Sequence, residues 1–354
     1  MLTATTILIA LFILPIVYFL KPSYTELLIL YLKSIFSVII HQIHSHHTST
    51  IGEILQSIFK KGIKNLPIVD IYEQCSARTY RILGLNPGPY TLQGTNTWLI
   101  TNGSTSGSSI HSDNCDHILI DTGEERTADK YVPYLLDHVF PLTKTRRLSK
   151  ILLTHGHKDH QGGVQALLEG LKARGMLPLP TIHKRNVPGG GKYPNKGFKS
   201  IHIADKEVFK VGGGGGDITT TLEAIYLPGH TDDSIGFILH EDGAFISGDC
   251  ILGCGTAVFD NLSDYMNSLK IIHKIIIANN NLCGDCNTMI SIRIHTIYPG
   301  HGPVIKDSAI AKVEEYITHR EGREEEIYHT LKQCYHKVIG SRRSSSSGYL
   351  TSSC

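Results

Sequence analysis

The chain has 354 residues, of which 34 are basic and 32 are acidic, so its formal net charge is only +2 with the histidines neutral. This balance creates no global field that would select a polyanionic partner, and eight cysteines over this length are too sparse for a disulfide scaffold. The length predicts one large core with appended segments, and the twenty histidines are the unusual feature, because imidazole is the commonest metal ligand in proteins.

Residues 1–75 are predicted to form an apolar, helical N-terminal extension. Its first twenty residues carry no charge, and at about 1.5 Å per residue such a run is long enough to span a hydrocarbon core of about 30 Å. Residues 2–20 are therefore a candidate membrane anchor, and Lys21 and Lys33 favour a cytoplasmic position for the rest of the chain. The alternative, that a misassigned start codon produced this stretch, stays open.

From Thr79 onward, short runs of branched and aromatic residues alternate with turn residues and predict strands. The predicted strands are TYRIL, NTWLIT, HILID, KILLT, LEAIYL, IGFIL, AFIS and IHTIY. The segments VQALLEGLKAR and LSDYMNSLKIIHKII predict helices. Strands interleaved with helices indicate an α/β fold.

Three segments are typical of inserted loops, because they are small and polar or rich in glycine, proline and lysine. They are residues 101–116, 183–200 and 211–217. Residues 311–354 predict a short helix followed by a disordered, serine-rich tail.

The stretch HGHKDHQGG lies between a predicted strand and a predicted helix, at the carboxyl end of the strand, where α/β folds commonly build their sites. In such a turn, His155, His157, Asp159 and His160 can converge on one small volume. Four such side chains within six residues would be unfavourable to bury unless a cation took up their lone pairs. The stretch therefore predicts a metal site.

Other predicted strands also end in a histidine or a carboxylate beside a glycine. Asp121 follows HILI, His230 follows LEAIYL, Asp249 follows AFIS and His301 follows IHTIY. A single PGH sequence is more often a plain turn, but the set as a whole indicates convergence at one edge of a sheet.

An HxHxDH loop followed by His, Asp and His at later strand ends resembles the signature of the metallo-β-lactamase superfamily. Within it, RILGLNPGPYTLQGTNTWLI, LIDTGEE, PGHTDDS and IYPGHGPVI are similar to the beta-lactamase-like protein 2 family of mitochondrial endoribonucleases. The resemblance covers about residues 78–323 and implies an α/β fold of the αββα sandwich type. It also implies a catalytic domain at residues 76–310, with residues 311–354 as the remnant of a winged-helix region.

The resemblance implies two zinc ions per chain. One is assigned to His155, His157 and His230. The second is assigned to Asp159, His160 and His301, with Asp249 bridging the two ions. A site rich in imidazole nitrogen favours zinc over magnesium, which prefers oxygen ligands.

Further roles follow for four residues. Asp159 is the expected catalytic proton acceptor and donor, and Asp121 is expected to support the ligand loop without binding metal itself. Asn96 and Thr97 are candidates for substrate contact, although a purely structural role at the start of a strand is the alternative.

We expect a zinc-dependent hydrolase, in which two ions lower the pKa of a shared water from about 15.7 toward about 7. The favoured function is an endoribonuclease that cleaves single-stranded RNA. An acyl or thioester hydrolase resembling glyoxalase II and a noncatalytic zinc-binding scaffold are the alternatives. The resemblance places the protein in the mitochondrial matrix, whereas the apolar leader favours a membrane-anchored enzyme that faces the cytoplasm.

Overall fold

The computed structural model describes residues 67–103, 117–195, 197–212, 219–281 and 293–346. The candidate anchor at residues 2–20 lies outside the described residues, as do residues 104–116 and 213–217 of two predicted loops. Within the described residues, no helix is both long enough and apolar enough to cross a bilayer.

The first sheet has seven strands that lie side by side in chain order. They are β1 (Tyr72–Gln74), β2 (Thr79–Leu83), β3 (Asn96–Ile100), β4 (His117–Ile120), β5 (Leu148–Leu152), β6 (Thr181–Lys184) and β7 (Ile201–His202). Neighbours from β1 to β4 are antiparallel, whereas those from β4 to β7 are parallel. The parallel pairing of β4 with β5 brings their carboxyl ends to the same edge of the sheet.

The second sheet has five strands in the order β12-β11-β10-β9-β8. They are β8 (Val208–Val211), β9 (Thr220–Tyr226), β10 (Ile235–Leu239), β11 (Ala244–Gly248) and β12 (Thr296–Pro299). Strand β10 is antiparallel to both β9 and β11, and β11 is parallel to β12. The carboxyl ends of β9, β11 and β12 therefore share one edge.

Helices cover the outer face of each sheet. These helices are α1 (Ala128–Tyr134), α3 (Val164–Ala173), α4 (Leu262–Asn281) and α5 (Ala309–Ser346), whereas the one-turn helix α2 (Lys158–Gln161) lies in the loop that follows β5. Helix α1 continues through a π-helical turn at Leu135–Val139 and packs with α3 on the first sheet. Helices α4 and α5 pack on the second sheet.

The side chains of β4 show how the layers are joined. Ile118 and Ile120 point into the core between the two sheets, where Trp98 and Phe237 also lie. Leu119 points the other way, into the core beneath α1 and α3. Successive strand residues face opposite sides of a sheet, so a strand buried on both faces is a continuous apolar run. The αββα sandwich predicted from the sequence is confirmed.

All eight predicted strands are present, and the described residues contain four further strands that were not predicted: β1, β6, β7 and β8. Strands β1, β7 and β8 lie at sheet edges, where less surface is buried and the apolar pattern is correspondingly weak. Strand β1 also begins at Tyr72, inside the predicted extension that ends at residue 75.

Helix α5 differs from the prediction of a short helix followed by a disordered tail. It spans 38 residues and reaches Ser346. Val313 and Tyr316 pack it against the second sheet. Beyond them, ion pairs between residues three or four positions apart stabilise an exposed helix by about 0.2–0.5 kcal/mol each. Arg323 and Glu326 form such a pair, and His329 contacts Glu325 one turn along the helix.

We predict that Phe237→Ala lowers the free energy of unfolding by about 3–5 kcal/mol, because it opens a cavity between the sheets. Phe237 is fully buried in the core that also holds Trp98. Trp98 is the single tryptophan of the chain, so its fluorescence during urea unfolding reports on this core. Ile201→Ala is the control, since Ile201 is 51% exposed, and equal losses in both variants would contradict the assigned core.

Candidate metal centre

Seven histidine and aspartate side chains meet at the edge where strands of both sheets end. The first group comprises His155, His157, His230 and Asp249, and the second comprises Asp159, His160 and His301. Within each group, the atoms suited to metal binding lie within 4.8 Å of one another. The structure therefore brings together all seven residues that the sequence predicted as ligands.

In the first group, three ring nitrogens face one another. Nδ1 of His157 lies 3.0 Å from Nε2 of His155 and 3.0 Å from Nε2 of His230. The Nε2 atoms of His155 and His230 are 3.2 Å apart. Neutral imidazole nitrogens that converge in this way direct lone pairs into a common space, and a cation such as zinc fits that donor set.

In the second group, Oδ2 of Asp159 lies 3.3 Å from Nε2 of His160 and 3.3 Å from Nε2 of His301. Asp249 lies between the two groups, with Oδ2 3.3 Å from Nε2 of His301 and 3.6 Å from Nε2 of His230. This is the position expected of a carboxylate shared by two ions.

The two groups differ in their electrostatics. Burial lowers the pKa of His157 to about 4 and, with the neighbouring imidazoles, holds the pKa of His155 well below its usual value. Burial also acts to lower the pKa of His301, but Asp249 and Asp159 outweigh it and raise that pKa to about 9. Histidine binds metal as neutral imidazole, so metal binding at the second group has to displace protons.

Hydrogen bonds at the outer nitrogens fix the ligand rings. Nδ1 of His160 lies 2.8 Å from Oδ2 of Asp121, and Nδ1 of His230 donates to the carbonyl oxygen of Val258 at 2.7 Å. The other nitrogen of each ring, Nε2, therefore faces the centre. Partners of this kind set the orientation and basicity of a ligand.

Asp121 connects two parts of the ligand loop. Besides contacting His160, it accepts hydrogen bonds from the backbone nitrogen and the hydroxyl group of Thr154, both at 2.8 Å. Asp121 directly follows β4, whereas Thr154 lies two residues beyond β5 and precedes His155. The parallel pairing of these strands places the carboxylate beneath the loop that carries four of the ligands.

The ligand loop contains a one-turn helix, α2, that carries Asp159 and His160. Directly after it the chain approaches the loop that follows β4. A Cβ atom on Gly163 would lie 2.0 Å from the carbonyl oxygen of Thr122. Glycine is therefore required where the two loops touch.

Asn86 and Thr95 position the carboxylate of Asp159. Neither residue was predicted from the sequence. The hydroxyl of Thr95 donates to Oδ2 of Asp159 at 3.0 Å. Asn86 donates to that hydroxyl at 3.0 Å and accepts from the backbone nitrogen of Thr95 at 2.9 Å. Both residues are buried. The only local signal is that Asn86 lies in a stretch rich in turn residues.

A buried ion pair between Lys184 and Asp233 contacts the loop that carries His155 and His157. This pair was also not predicted from the sequence. Nζ of Lys184 lies 3.0 Å from Oδ2 of Asp233, and Oδ1 of Asp233 accepts from the backbone nitrogen of Gly156 at 3.3 Å. Gly156 lies between the ligands His155 and His157, so the pair fixes the backbone between them.

Asn96 and Thr97 are fully buried. The Nδ2 atom of Asn96 donates to the carbonyl oxygens of Pro299 and Gly302, which flank His301. Thr97 donates to the carbonyl oxygen of Ile82. These contacts give both side chains a structural role, and their contact with substrate stays a prediction that would require them to become exposed.

Comparison with known proteins identifies the family and relatives of this chain. The sequence model of the metallo-beta-lactamase superfamily matches residues 91–301. A Caenorhabditis elegans protein named beta-lactamase-like protein 2 homolog is 37% identical over 269 residues, which cover 76% of this chain and 76% of the relative. The Drosophila melanogaster protein of the same name is 33% identical over 264 residues, which cover 74% of this chain and 76% of that relative.

Among solved structures, a beta-lactamase domain protein from Burkholderia ambifaria has a TM-score of 0.52 at 17% identity. The match covers 74% of this chain and 80% of that chain. At this identity the likeness shows the fold alone.

We predict that Asp121→Asn weakens zinc binding about 10- to 100-fold, the usual effect of removing a partner behind a metal ligand. The amide nitrogen of Asn cannot accept the hydrogen bonds that now reach Oδ2. Asp121 has a φ of 60°, a conformation that Asn also tolerates, so the fold should be retained. Competition with a chromophoric chelator measures the affinity. Asp129→Asn, at an exposed aspartate, is the control, and unchanged affinity in Asp121→Asn would contradict the role assigned to this carboxylate.

Proposed function

This chain belongs to the metallo-β-lactamase superfamily, and on that premise we propose that it is a zinc-dependent endoribonuclease that cleaves single-stranded RNA. Members of this superfamily are metal-dependent hydrolases. The observation that carries the proposal is the convergence of the seven histidine and aspartate side chains in two adjoining groups.

Two zinc ions per chain fit the donor set. Five of the seven residues offer imidazole nitrogen and two offer carboxylate oxygen, a composition suited to zinc and unlike the oxygen-rich sites of magnesium or calcium. Each group supplies at least three donors, and Asp249 lies within reach of both.

Bound zinc would lower the pKa of water and stabilise negative charge on a phosphoryl oxygen. Asp159 is the carboxylate placed to accept and return a proton, since its side chain is 21% exposed, whereas that of Asp249 is 10% exposed. The hydrogen bond from Thr95 restrains the rotation of the Asp159 carboxylate. A fixed orientation supports proton transfer, because a general base must lie within hydrogen-bonding reach of the proton it takes.

The choice of RNA is supported by the resemblance of residues 78–323 to endoribonucleases of the superfamily. We propose that the protein acts in the mitochondrial matrix, because the endoribonucleases that it resembles are mitochondrial. Acyl or thioester hydrolysis would use the same residues, and the fold by itself does not separate the two reactions. The complete set of seven ligand-type residues favours a catalytic centre over a noncatalytic scaffold.

We predict that the zinc-loaded protein cleaves single-stranded RNA, and that His157→Ala lowers cleavage by at least about 100-fold and zinc content from about two ions per chain to about one, because a ligand is lost from the first group only. Gel analysis of end-labelled RNA and elemental analysis of the protein measure the two effects. His138→Ala, which changes an exposed histidine outside the centre, is the control. The wild-type protein should contain two zinc ions.

A parallel assay with S-lactoylglutathione separates the alternatives. Hydrolysis of the thioester without RNA cleavage would support the acyl hydrolase instead. Equal RNA cleavage by the wild-type protein and by His157→Ala would show that the activity does not arise at this centre.

We further predict that Thr95→Val lowers kcat about 10-fold or more, because the isosteric side chain no longer holds the Asp159 carboxylate. KM should change less than kcat, since Thr95 is fully buried. Hydrolysis of bis(p-nitrophenyl) phosphate measures both constants. Thr181→Val, at an exposed threonine at the start of β6, is the matched control. An unchanged kcat in Thr95→Val would remove Thr95 from the set of positioning residues.

A further inference from the structure

Residues 185–195 and 197–200, the described part of the predicted inserted loop beyond β6, are called the insertion. They supply none of the seven ligand-type residues, yet the insertion reaches the metal centre. The ring of Tyr193 lies edge to face with the ring of His157, with 4.7 Å between the centroids. The Tyr193 hydroxyl donates to Oδ2 of Asp260 at 2.9 Å, and Nζ of Lys192 donates to Oδ1 of the same carboxylate at 2.7 Å. The insertion therefore forms part of the rim of the first ligand group.

The insertion is held in a defined position. The buried Lys184 ammonium donates to the carbonyl oxygen of Tyr193 at 2.6 Å, in addition to its ion pair with Asp233. Oδ2 of Asp232 accepts from the backbone nitrogen of Lys192 at 3.1 Å. The ion pair between Lys184 and Asp233 therefore contacts both the metal-binding loop and the insertion. It links the positions of these two segments.

A cavity of about 480 Å³ lies between this insertion and the loop that follows β9. Its volume is in the range of sites for small molecules, which is about 300–1,000 Å³. Tyr193 forms part of the wall, and so do Arg185, Asn186, Lys199 and Asp232. Because Tyr193 also contacts His157, the cavity adjoins the metal centre.

The wall of the cavity offers two unmatched polar groups. Lys199 is exposed and has no ion-pair partner within the part of the chain that the structure describes. Oδ1 of Asp232 is buried, and no hydrogen bond from the described residues reaches it. A complementary ligand carries an anion for the lysine and a hydrogen-bond donor for the aspartate. It also has a flat surface that can lie against an aromatic side chain such as Tyr193.

We propose that this cavity binds one nucleotide of the RNA substrate, next to the phosphodiester that is cleaved. The phosphate of that nucleotide contacts Lys199, and a ribose hydroxyl or a base amino group donates to Asp232. This inference rests on the proposed function and names the residues that select its substrate.

The test compares Lys199→Ala with Lys172→Ala, which removes an exposed lysine that does not line the cavity. Binding of a fluorescein-labelled RNA 12-mer with hydrolysis-resistant phosphorothioate linkages to the zinc-loaded full chain is measured by anisotropy at several salt concentrations. We expect Lys199→Ala to raise Kd about 5- to 10-fold. The slope of log Kd against log salt concentration should fall by about 0.7, which is the value for the loss of one phosphate contact with a single strand. Lys172→Ala should stay within about twofold of the wild type, and Lys199→Arg should restore most of the affinity because it keeps the charge.

The outcomes for the two proposals are separate. Equal Kd values for Lys199→Ala and Lys172→Ala, or no RNA binding by the wild type, would overturn the assignment of the cavity. Binding of the resistant RNA that depends on Lys199, without cleavage of ordinary RNA, would uphold the cavity and overturn the proposed endoribonuclease function. Trp98 fluorescence confirms that each variant is folded.

Discussion

The lone pairs that converge at one edge of the sandwich are the constraint on which the rest of the structure depends. The ring nitrogens of His155, His157 and His230 lie 3.0–3.2 Å apart, and Asp249 lies beside them. Such an arrangement is unfavourable in a buried site unless a cation occupies the common space. The surrounding fold must therefore keep these side chains close together. The apolar cores of the sandwich and the hydrogen bonds to the outer nitrogens of the ligand rings do this.

Both sheets contribute to this edge because of their topology. The first sheet supplies Asp121 and the ligand loop through the parallel pair β4 and β5, and the second supplies His230, Asp249 and His301 from strands that point the same way. Buried polar contacts such as Asn86 with Thr95 then fix individual atoms. This shared frame brings the seven ligand-type side chains together, and the insertion around Tyr193 forms a wall beside the first ligand group.

The strands that could be predicted are those whose buried positions hold apolar residues. Strand β6 is largely buried but contains His183 and Lys184, and it was not predicted. Strands buried on both faces, such as β4 and β10, appear in the sequence as apolar runs bounded by turn residues. Edge strands such as β1 and β8 have a neighbour on one side only, so their sequences carry less of that pattern. The length of α5 was underestimated because ion pairs along its exposed face, and not an apolar stripe, accompany its later turns.

The sequence by itself determined an α/β fold and a group of His and Asp residues at strand ends, because apolar runs and the residues that end them are local patterns. The αββα sandwich and the assignment of these residues to two metal ions were implied by the resemblance to the superfamily. The tertiary structure decided which distant groups meet: Thr95 with Asp159, Lys184 with Asp233, and Tyr193 with His157. Each of these pairs joins segments that are separated by many residues and lie on different elements. Their contact depends on how the sheets and loops pack, and a single sequence carries no periodic signal for such packing.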